Sequence, residues 1–407
     1  MKQQFKQWLL VAVSKQLLGW LLLSSVCLLL AGCWDQRELQ NRHIALAVAI
    51  DVADGSETEV ETFVQPYGGK QFRLSVQLLD VAPTQGEQGG GSGNQTYVVS
   101  NTGRSFLEIT RDMYGQLGKI ISWEHIQVII ISEAALEAGG LDQLFDWFMR
   151  DSKMRWRIHV YVTPGDASPI LAYQPPSGEA NGIFLANIAR NNLKNPHIAS
   201  GRSDLGFTVI KLDNKIPLVL PKIELTDGII KVSGVAVVKN NRLAGYLNED
   251  ETAGGRYILG VEKSAIITTR CRDHPEHILA FELFRHDTRL QAHVSGDTIY
   301  YTLDITMYGQ IGEMGGCTEP NDHNTSNPDY IRKLELQFAE EVKQSVELTL
   351  KRQQEQGADG LNLGRTLKIQ YPNKWEEVKE RWNEEIFPKI PMVVSVNVNI
   401  FQVGEHK

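Results

Sequence analysis

The segment "NPDYIRKLELQFAEEVKQSVELTL", Asn327 to Leu350, decides the fold of the carboxyl-terminal part of this chain. Asn327 and Pro328 predict the start of a helix, because asparagine caps a helix and proline suits its first turn. An apolar stripe then recurs every three or four residues, at Ile331, Leu334, Phe338, Val342, Val346 and Leu350. Such a stripe is typical of a helix that packs one face on a sheet.

Strand patterns on both sides of this helix predict the sheet that it covers. The stretches Ile278–Val294 and Thr298–Tyr308 flank a Ser-Gly-Asp turn, which predicts a β-hairpin. Apolar and polar residues alternate across Val394–Ile400, as in a half-buried strand. Between the long helix and this last strand, Trp375 and Trp382 lie at helical spacing and are interpreted as core residues rather than as a ligand platform.

Two further domains are predicted before this hairpin. Strands that include Ile44–Asp51 and Glu59–Val64 alternate with helices that include Leu141–Arg150 across residues 33–195, which indicates an α/β domain with a partly parallel sheet. The glycine-rich segment Pro83–Gln95 is interpreted as an exposed loop between strands. Strand patterns that include Phe207–Leu212 predict a small β-rich middle domain over residues 196–276. Residues 277–407 form the third domain. The fold class predicted is therefore α+β and multidomain: an N-terminal mixed α/β sheet domain, a β-rich middle domain and a C-terminal antiparallel sheet packed on a long helix.

The amino terminus has the layout of a cleaved lipoprotein signal. Three lysines precede an apolar stretch, Leu17–Leu30, and that stretch ends in Ala-Gly-Cys; the lysines are Lys2, Lys6 and Lys15. This pattern predicts a signal peptide over residues 1–32 and a diacylglyceryl thioether on Cys33. The alternative is an uncleaved signal-anchor helix, although the stretch is short of the roughly 20 residues that span a bilayer. Two acyl chains would hold the mature protein on the membrane without a spanning segment.

Charge and hydropathy narrow the classes of partner. The 407 residues carry a net charge of −8, which becomes −11 once the three signal lysines are removed. An acidic chain is a poor nucleic-acid binder, because phosphate contacts need a basic face. Beyond the signal, uninterrupted apolar runs such as Val128–Ile131 are too short to cross a membrane. We therefore expect an exported body with no nucleic-acid partner.

The sequence holds no catalytic motif that we recognise, and no catalytic residue is predicted. The densest group of reactive side chains is "CRDHPEH", Cys271 to His277, with Cys317, Asp322 and His323 further along. These residue types can bind zinc, but their spacing is irregular and a proline separates the two histidines. Histidines in surface loops near two cysteines are the preferred interpretation, so no metal site is predicted.

The start of the predicted mature chain, "CWDQREL" from Cys33 to Leu39, resembles that of the Ger(x)C family, the C subunits of bacterial spore germinant receptors. Members of that family begin with a lipidated cysteine followed by Trp-Asp-x-Arg-Glu. The resemblance continues through three further stretches: "LFDWFMRDSKMR" (Leu144–Arg155), "GVAVVKNNRLAGYLNEDET" (Gly234–Thr252) and "YPNKWEEVKERWNEEIFP" (Tyr371–Pro388).

The resemblance implies a non-catalytic lipoprotein subunit on the outer face of the spore inner membrane. It implies assembly with two membrane-embedded receptor subunits that sense small nutrients, and no cofactor beyond the lipid on Cys33. Whether this subunit contacts the nutrient stays open. The alternative function is that of an extracytoplasmic solute-binding lipoprotein of an import system.

The segment after the lipid site is a candidate docking element. Trp34, Asp35, Arg37 and Glu38 would lie close to the lipid headgroups or to a membrane subunit. The alternative is a disordered tether whose charged side chains are solvated.

The two remaining cysteines of the mature chain, Cys271 and Cys317, are a candidate disulfide. Exported chains meet oxidising conditions, and the predicted hairpin brings both cysteines to loops at the same end of the sheet. Two free thiols and a metal site are the other states that the sequence allows.

Overall fold

A computed structural model describes Trp20 and residues 42–53, 71–80, 96–191, 202–261, 264–272, 274–315, 317 and 327–403. The predicted strand at Glu59–Val64 and the glycine-rich segment Pro83–Gln95 lie outside these residues.

The amino-terminal part is built around a mixed sheet. Its strands are β1 (Arg42–Val52), β2 (Phe72–Asp80), β3 (Thr96–Gly103), β4 (Ile120–Ser122), β5 (Val128–Ser132) and β6 (His159–Thr163). β1 runs antiparallel to β2 and parallel to β4 and β5, and β6 runs parallel to β5. Val48 and Ile50 of β1 pack into one core cluster, while Ala47 and Ala49 pack into another. The sheet is therefore covered on both faces, as the alternation of strands and helices predicts.

Among the described residues, four helices accompany these strands. They are α1 (Phe106–Leu117), α2 (Glu133–Arg150), α3 (Ser168–Leu171) and α4 (Asn181–Arg190). Helix α2 begins eight residues before the predicted Leu141, and Gly140 within it has φ 77°, a conformation that only glycine adopts readily.

The middle part contains α5 (Leu205–Asp213), β7 (Leu218–Thr226), β8 (Ile229–Lys239), β9 (Arg242–Leu247) and α6 (Glu249–Leu259). The strand predicted at Phe207–Leu212 is wrong, because this stretch lies in α5. The Asp204 side chain accepts a hydrogen bond of 2.9 Å from the Phe207 N–H and so caps the helix. A short apolar run fits a helix or a strand equally well, and here the cap decides.

The carboxyl-terminal part contains a four-stranded sheet and the long helix. Its strands are β10 (Ala265–Arg270), β11 (Ile278–Ser295), β12 (Thr298–Glu313) and β13 (Met392–Val403), and its helices are α7 (Pro328–Gln356), α8 (Leu363–Gln370) and α9 (Pro372–Val378). Asn327 caps α7 through a 3.0 Å bond from the Asp329 N–H. Leu334, Phe338, Val342, Val346 and Leu350 all lie in the core under the sheet. The predicted α+β multidomain fold is confirmed.

The direction of the last strand differs from the prediction of an antiparallel sheet. β10, β11 and β12 are antiparallel, but β13 runs parallel to β12, with Tyr301 opposite Met392. The parallel direction is possible because of the long connection between β12 and β13. An antiparallel partner can follow a short turn, whereas a parallel one needs a long crossover. Here the crossover is formed by α7, α8 and α9.

Strands from residues 196–276, the predicted middle domain, join both sheets. β7 extends the amino-terminal sheet through one bridging pair, Val162 with Lys222, and β8 and β9 follow it. β10, placed within residues 196–276, pairs with β11 of the second sheet. The boundaries at 195/196 and 276/277 stay predictions.

Candidate functional site

The predicted lipid site and docking segment lie outside the described residues. Cys33, Trp34, Asp35, Arg37 and Glu38 all precede Arg42, where the described fold begins. In the part of the chain that the structure describes, there is no helix of the length and hydropathy needed to cross a membrane.

Cys271 and Cys317 lie together in the structure, with their Cα atoms 5.7 Å apart and their sulfur atoms at bonding distance. Cys271 follows β10 and Cys317 follows β12. The Cys271 N–H donates to the carbonyl of His277, and the Cys317 N–H donates to that of Met314. Both cysteines are buried, so the pair belongs to the core beneath α7.

The histidines of the same loop stay at the surface. His274 and His277 flank Glu276, with nitrogen–oxygen distances of 3.6 and 3.7 Å and ring centroids 6.0 Å apart. No group of three or more metal-ligating side chains is present among the described residues. Asp322 and His323 lie outside them.

The carboxyl ends of the parallel strands are the usual place for a ligand site in an α/β sheet. Asp51 lies there at the end of β1, and both of its carboxylate oxygens are occupied. They accept hydrogen bonds of 2.7 and 3.0 Å from the N–H groups of Ala167 and Ser168. Burial raises the pKa of Asp51, which these bonds oppose. Asp51 therefore joins β1 to the start of α3, and at 2% exposure it is closed to a ligand from solvent.

A second buried carboxylate lies in the turn between α7 and α8. Asp359 is 5% exposed and accepts hydrogen bonds from the N–H groups of Leu363 and Gly364 and from the indole of Trp382, at 2.7–3.0 Å. Burial raises the pKa of its carboxyl group. Gly364 is required by close packing, because a Cβ there would lie 2.8 Å from the rings of both Trp375 and Trp382.

Sequence reasoning missed this arrangement, although it interpreted the two tryptophans as core residues; Trp382 is buried, and Trp375 is partly buried and packs against the same core. The signal that could have found it is Asp359 within "GADGLNLG", Gly357 to Gly364. An acidic residue among glycines before a helix can accept several backbone N–H bonds at once.

The same turn joins the two halves of the molecule. The Lys211 ammonium of α5 lies 3.2 Å from the side-chain oxygen of Asn362. Outside the turn, Lys239 of β8 forms a 2.7 Å ion pair with Glu384, which follows α9. Ala358 packs in a small core with three residues of the first sheet: Val235, Val237 and Leu247. The turn thus connects the two sheets.

Helix α6 makes the second connection between the halves. It crosses α7 so closely that a Cβ on Gly254 would lie 2.3 Å from the carbonyl oxygen of Ser345. The Thr349 hydroxyl donates to the carbonyl of Glu251 at 2.6 Å, and the Glu251 carboxylate pairs with Arg352 at 3.1 Å. Polar bonds and close backbone approach therefore fix α6 on the long helix.

A groove of about 540 Å³ runs between edge strand β10 and α7. Three of its polar side chains are bonded to one another: Thr269 donates to Glu341 at 2.6 Å, and Gln337 donates to the Thr269 hydroxyl at 2.9 Å. Thr269, Gln337 and Glu341, like Asp51 and Asp359, thus bond to other parts of the fold and hold its elements in place.

Comparison with known proteins identifies similar chains over the whole described fold. A family model described as "Spore germination protein N-terminal domain" matches residues 35–225, and one described as "Spore germination B3/ GerAC like, C-terminal" matches residues 233–404. Spore germination protein YndF of Bacillus subtilis is 29% identical over 94% of this chain and 96% of its own length. Spore germination protein B3 of the same organism is 23% identical over 93% and 95%. The crystal structure of the GerBC protein, 18% identical, covers 88% of this chain and 98% of its own with a TM-score of 0.57, so the two share a fold.

Proposed function

Because the chain belongs to the Ger(x)C family of spore germination proteins, we propose that it is a non-catalytic, lipid-anchored subunit of a germinant receptor. The observation that carries this proposal is the extent of the match: the two family models together span both sheets and the helices between them. The subunit acts with two membrane-embedded subunits on the outer face of the spore inner membrane.

The anchor is the diacylglyceryl group on Cys33. Its support is the lysine-rich, apolar and small-residue segment that precedes this cysteine. Two acyl chains hold a protein stably where one is marginal, at about 0.8 kcal/mol per buried methylene. Trp34, Asp35, Arg37 and Glu38 then lie next to the headgroups and dock on a membrane subunit.

The folded body serves as a rigid element of the receptor. Its support is the pair of interlocked connections, the Asp359 turn and the contact of α6 with α7, which join the two sheets. A subunit that is rigid between its sheets transmits a displacement at one end to the other, which suits a part that couples partners rather than one that performs chemistry.

The deciding experiment deletes the gene in a strain that keeps one germinant receptor at a time, since redundant receptors would mask a loss. Spores are then tested with single nutrients, and germination is followed by the fall in optical density. We expect the response to at least one nutrient to be lost and to be restored by the wild-type chain. If every response persists while uptake of one solute fails, the protein is a solute-binding lipoprotein instead.

The anchor is tested separately by mass spectrometry of the mature amino-terminal peptide. The wild-type peptide should carry the diacylglyceryl mass on Cys33, and Cys33→Ala should yield a chain that keeps its signal or leaves the membrane fraction. An unmodified mature Cys33 would falsify the anchor.

A further inference from the structure

The loop before β6 lies at the edge of the first sheet where the chain enters the fold. β1, β5 and β6 are parallel, so their amino ends share one edge, and His159 at the start of β6 lies opposite Val128 at the start of β5. Val128 is in turn opposite Ala47 of β1. With neighbouring strands about 4.8 Å apart, the start of β6 lies about 10 Å across the sheet from Ala47, which is five residues after the start of β1.

The position of this edge relative to the membrane follows from chain length. Cys33 precedes Arg42 by nine residues. A fully extended chain gains at most about 3.5 Å per residue, so a lipid on Cys33 keeps the start of β1 within about 30 Å of the bilayer surface. The elements at this edge are thus within reach of the headgroups.

The loop carries a concentration of positive charge on an otherwise acidic chain. Lys153, Arg155 and Arg157 are all exposed, and Asp151 is the one acidic residue among residues 151–157. The Asp151 carboxylate accepts a hydrogen bond of 2.9 Å from the backbone N–H of Lys153.

Two acids beside the loop already have cationic partners. Asp146 pairs with Arg150 and Asp204 pairs with Arg202, at 2.9 and 2.8 Å. The three cations of the loop therefore present a positive surface to an approaching anionic one.

Between the cations, Trp156 stands out from the surface with 53% of its area exposed. Its backbone is fixed, because its carbonyl accepts a 2.9 Å bond from the Gly206 N–H of α5. Met154, two residues earlier, is buried and supplies the core contact of the loop. At the same edge, Ile120 opposite Arg42 is 44% exposed. A fixed, exposed indole between lysine and arginine is typical of residues that sit at a membrane interface.

We propose that the loop of residues 151–157 is a membrane-contact surface that binds anionic phospholipid and sets the orientation of the body on the bilayer. The proposal rests on the lipid anchor at Cys33, which delivers this edge to the surface. Trp156 enters the headgroup region, and Lys153, Arg155 and Arg157 lie against the phosphates.

The test uses the mature chain with Cys33→Ala, so that no acyl chain contributes, and vesicles of phosphatidylglycerol and phosphatidylcholine or of phosphatidylcholine alone. We expect sedimentation with the anionic vesicles and not with the neutral ones. Each basic residue near an anionic surface contributes about fivefold in affinity, so the variant Lys153→Glu/Arg155→Glu/Arg157→Glu should bind at least about 100-fold more weakly. Trp156→Ser should bind about tenfold more weakly because its ring no longer enters the interface.

The matched control reverses three exposed lysines of the other half, Lys333→Glu/Lys351→Glu/Lys368→Glu, and should bind like the parent. Thermal melting checks that each variant is folded. Failure of the parent to bind anionic vesicles, or equal binding by the two triple variants, overturns the proposal. If the parent does not bind vesicles but the loop variant is lost from spore membranes, the loop faces a protein partner, and the proposal fails. Lipidation of Cys33 is read by mass alone, so failure of the anchor is distinguishable from failure of the loop.

Discussion

The indole nitrogen of Trp382 lies 3.0 Å from a carboxylate oxygen of Asp359, inside the turn that joins the two halves of the molecule. The same oxygen accepts the N–H of Gly364 at 2.7 Å, and the other accepts that of Leu363 at 3.0 Å. Three donors converge on one buried group, so a change at that group leaves several donors without a partner.

We expect Asp359→Asn to lower the free energy of unfolding by about 1–3 kcal/mol, because an amide turns an N–H group toward donors that need an acceptor. Trp382→Phe should cost a similar amount by removing one donor and part of the core. Since the two residues share one hydrogen bond, the double variant should cost less than the sum of the single variants. Denaturant unfolding measures all three, with the exposed Asp304→Asn as control. Full additivity would show that the bond carries no coupling.

The carboxylate of Asp204 gives a prediction of how the stability of the fold depends on pH. Burial alone would raise the pKa of Asp204, but the hydrogen bonds from Arg202 and the Phe207 N–H outweigh it, so the pKa lies below its usual value. A lowered folded pKa means that Asp204 stabilises the fold above the unfolded pKa, near 4, and that this stabilisation is lost as the pH falls through the folded value.

Asp204→Ala should therefore lower the free energy of unfolding by about 1 kcal/mol at pH 7, the usual cost of a lost helix cap. The loss should shrink when unfolding is measured at pH 3. Asp213→Ala, at the other end of α5 and exposed, should show no such loss at pH 7. An effect of Asp204→Ala that is the same at both pH values would contradict this assignment.

Helix α6 offers a test of packing with an adjacent control. A Cβ on Gly254 would lie 2.3 Å from a backbone oxygen of α7, which cannot move without shifting that helix. A Cβ on Gly255 meets no atom closer than 3.5 Å. Gly254→Ala should therefore destabilise by at least about 1–3 kcal/mol through overpacking. Gly255→Ala should stabilise by about 0.5–1 kcal/mol, because alanine loses less conformational freedom in a helix. Equal effects of the two substitutions on thermal unfolding would refute the close crossing.

The sequence predicted those elements whose pattern is long and regular. The stripe of α7 spans six apolar positions, and the cap at Asn327 marks the start of the helix, so the local sequence is sufficient to predict it. Phe207–Leu212 is short and apolar throughout, so the capping carboxylate of Asp204 determined the helix instead. Helix α6 escaped notice because Gly254 and Gly255 are poor helix formers, and only the approach of α7 explains them.

The candidate sites also differ in whether a local sequence pattern marks them. Cys33 is marked by a local pattern in the chain, whereas the Asp359 turn depends on Trp382, which is 23 residues away in sequence. The loop at Trp156 is visible as a basic stretch, but its place at the amino ends of the parallel strands follows only from their register.

The last prediction concerns Cys271 and Cys317, whose Cα atoms are 5.7 Å apart across a separation of 46 residues. A bridge closing a loop of this length stabilises a fold by about 4 kcal/mol in the chain-entropy model. In the mature Cys33→Ala chain, denatured without reductant, a maleimide reagent should label no thiol, and it should label two after reduction. Cys271→Ala/Cys317→Ala should lower the free energy of unfolding by up to about 4 kcal/mol. Two labelled thiols in the unreduced chain would show that the cysteines lie side by side without a bond, and the double substitution should then cost only the small packing loss of two buried sulfurs.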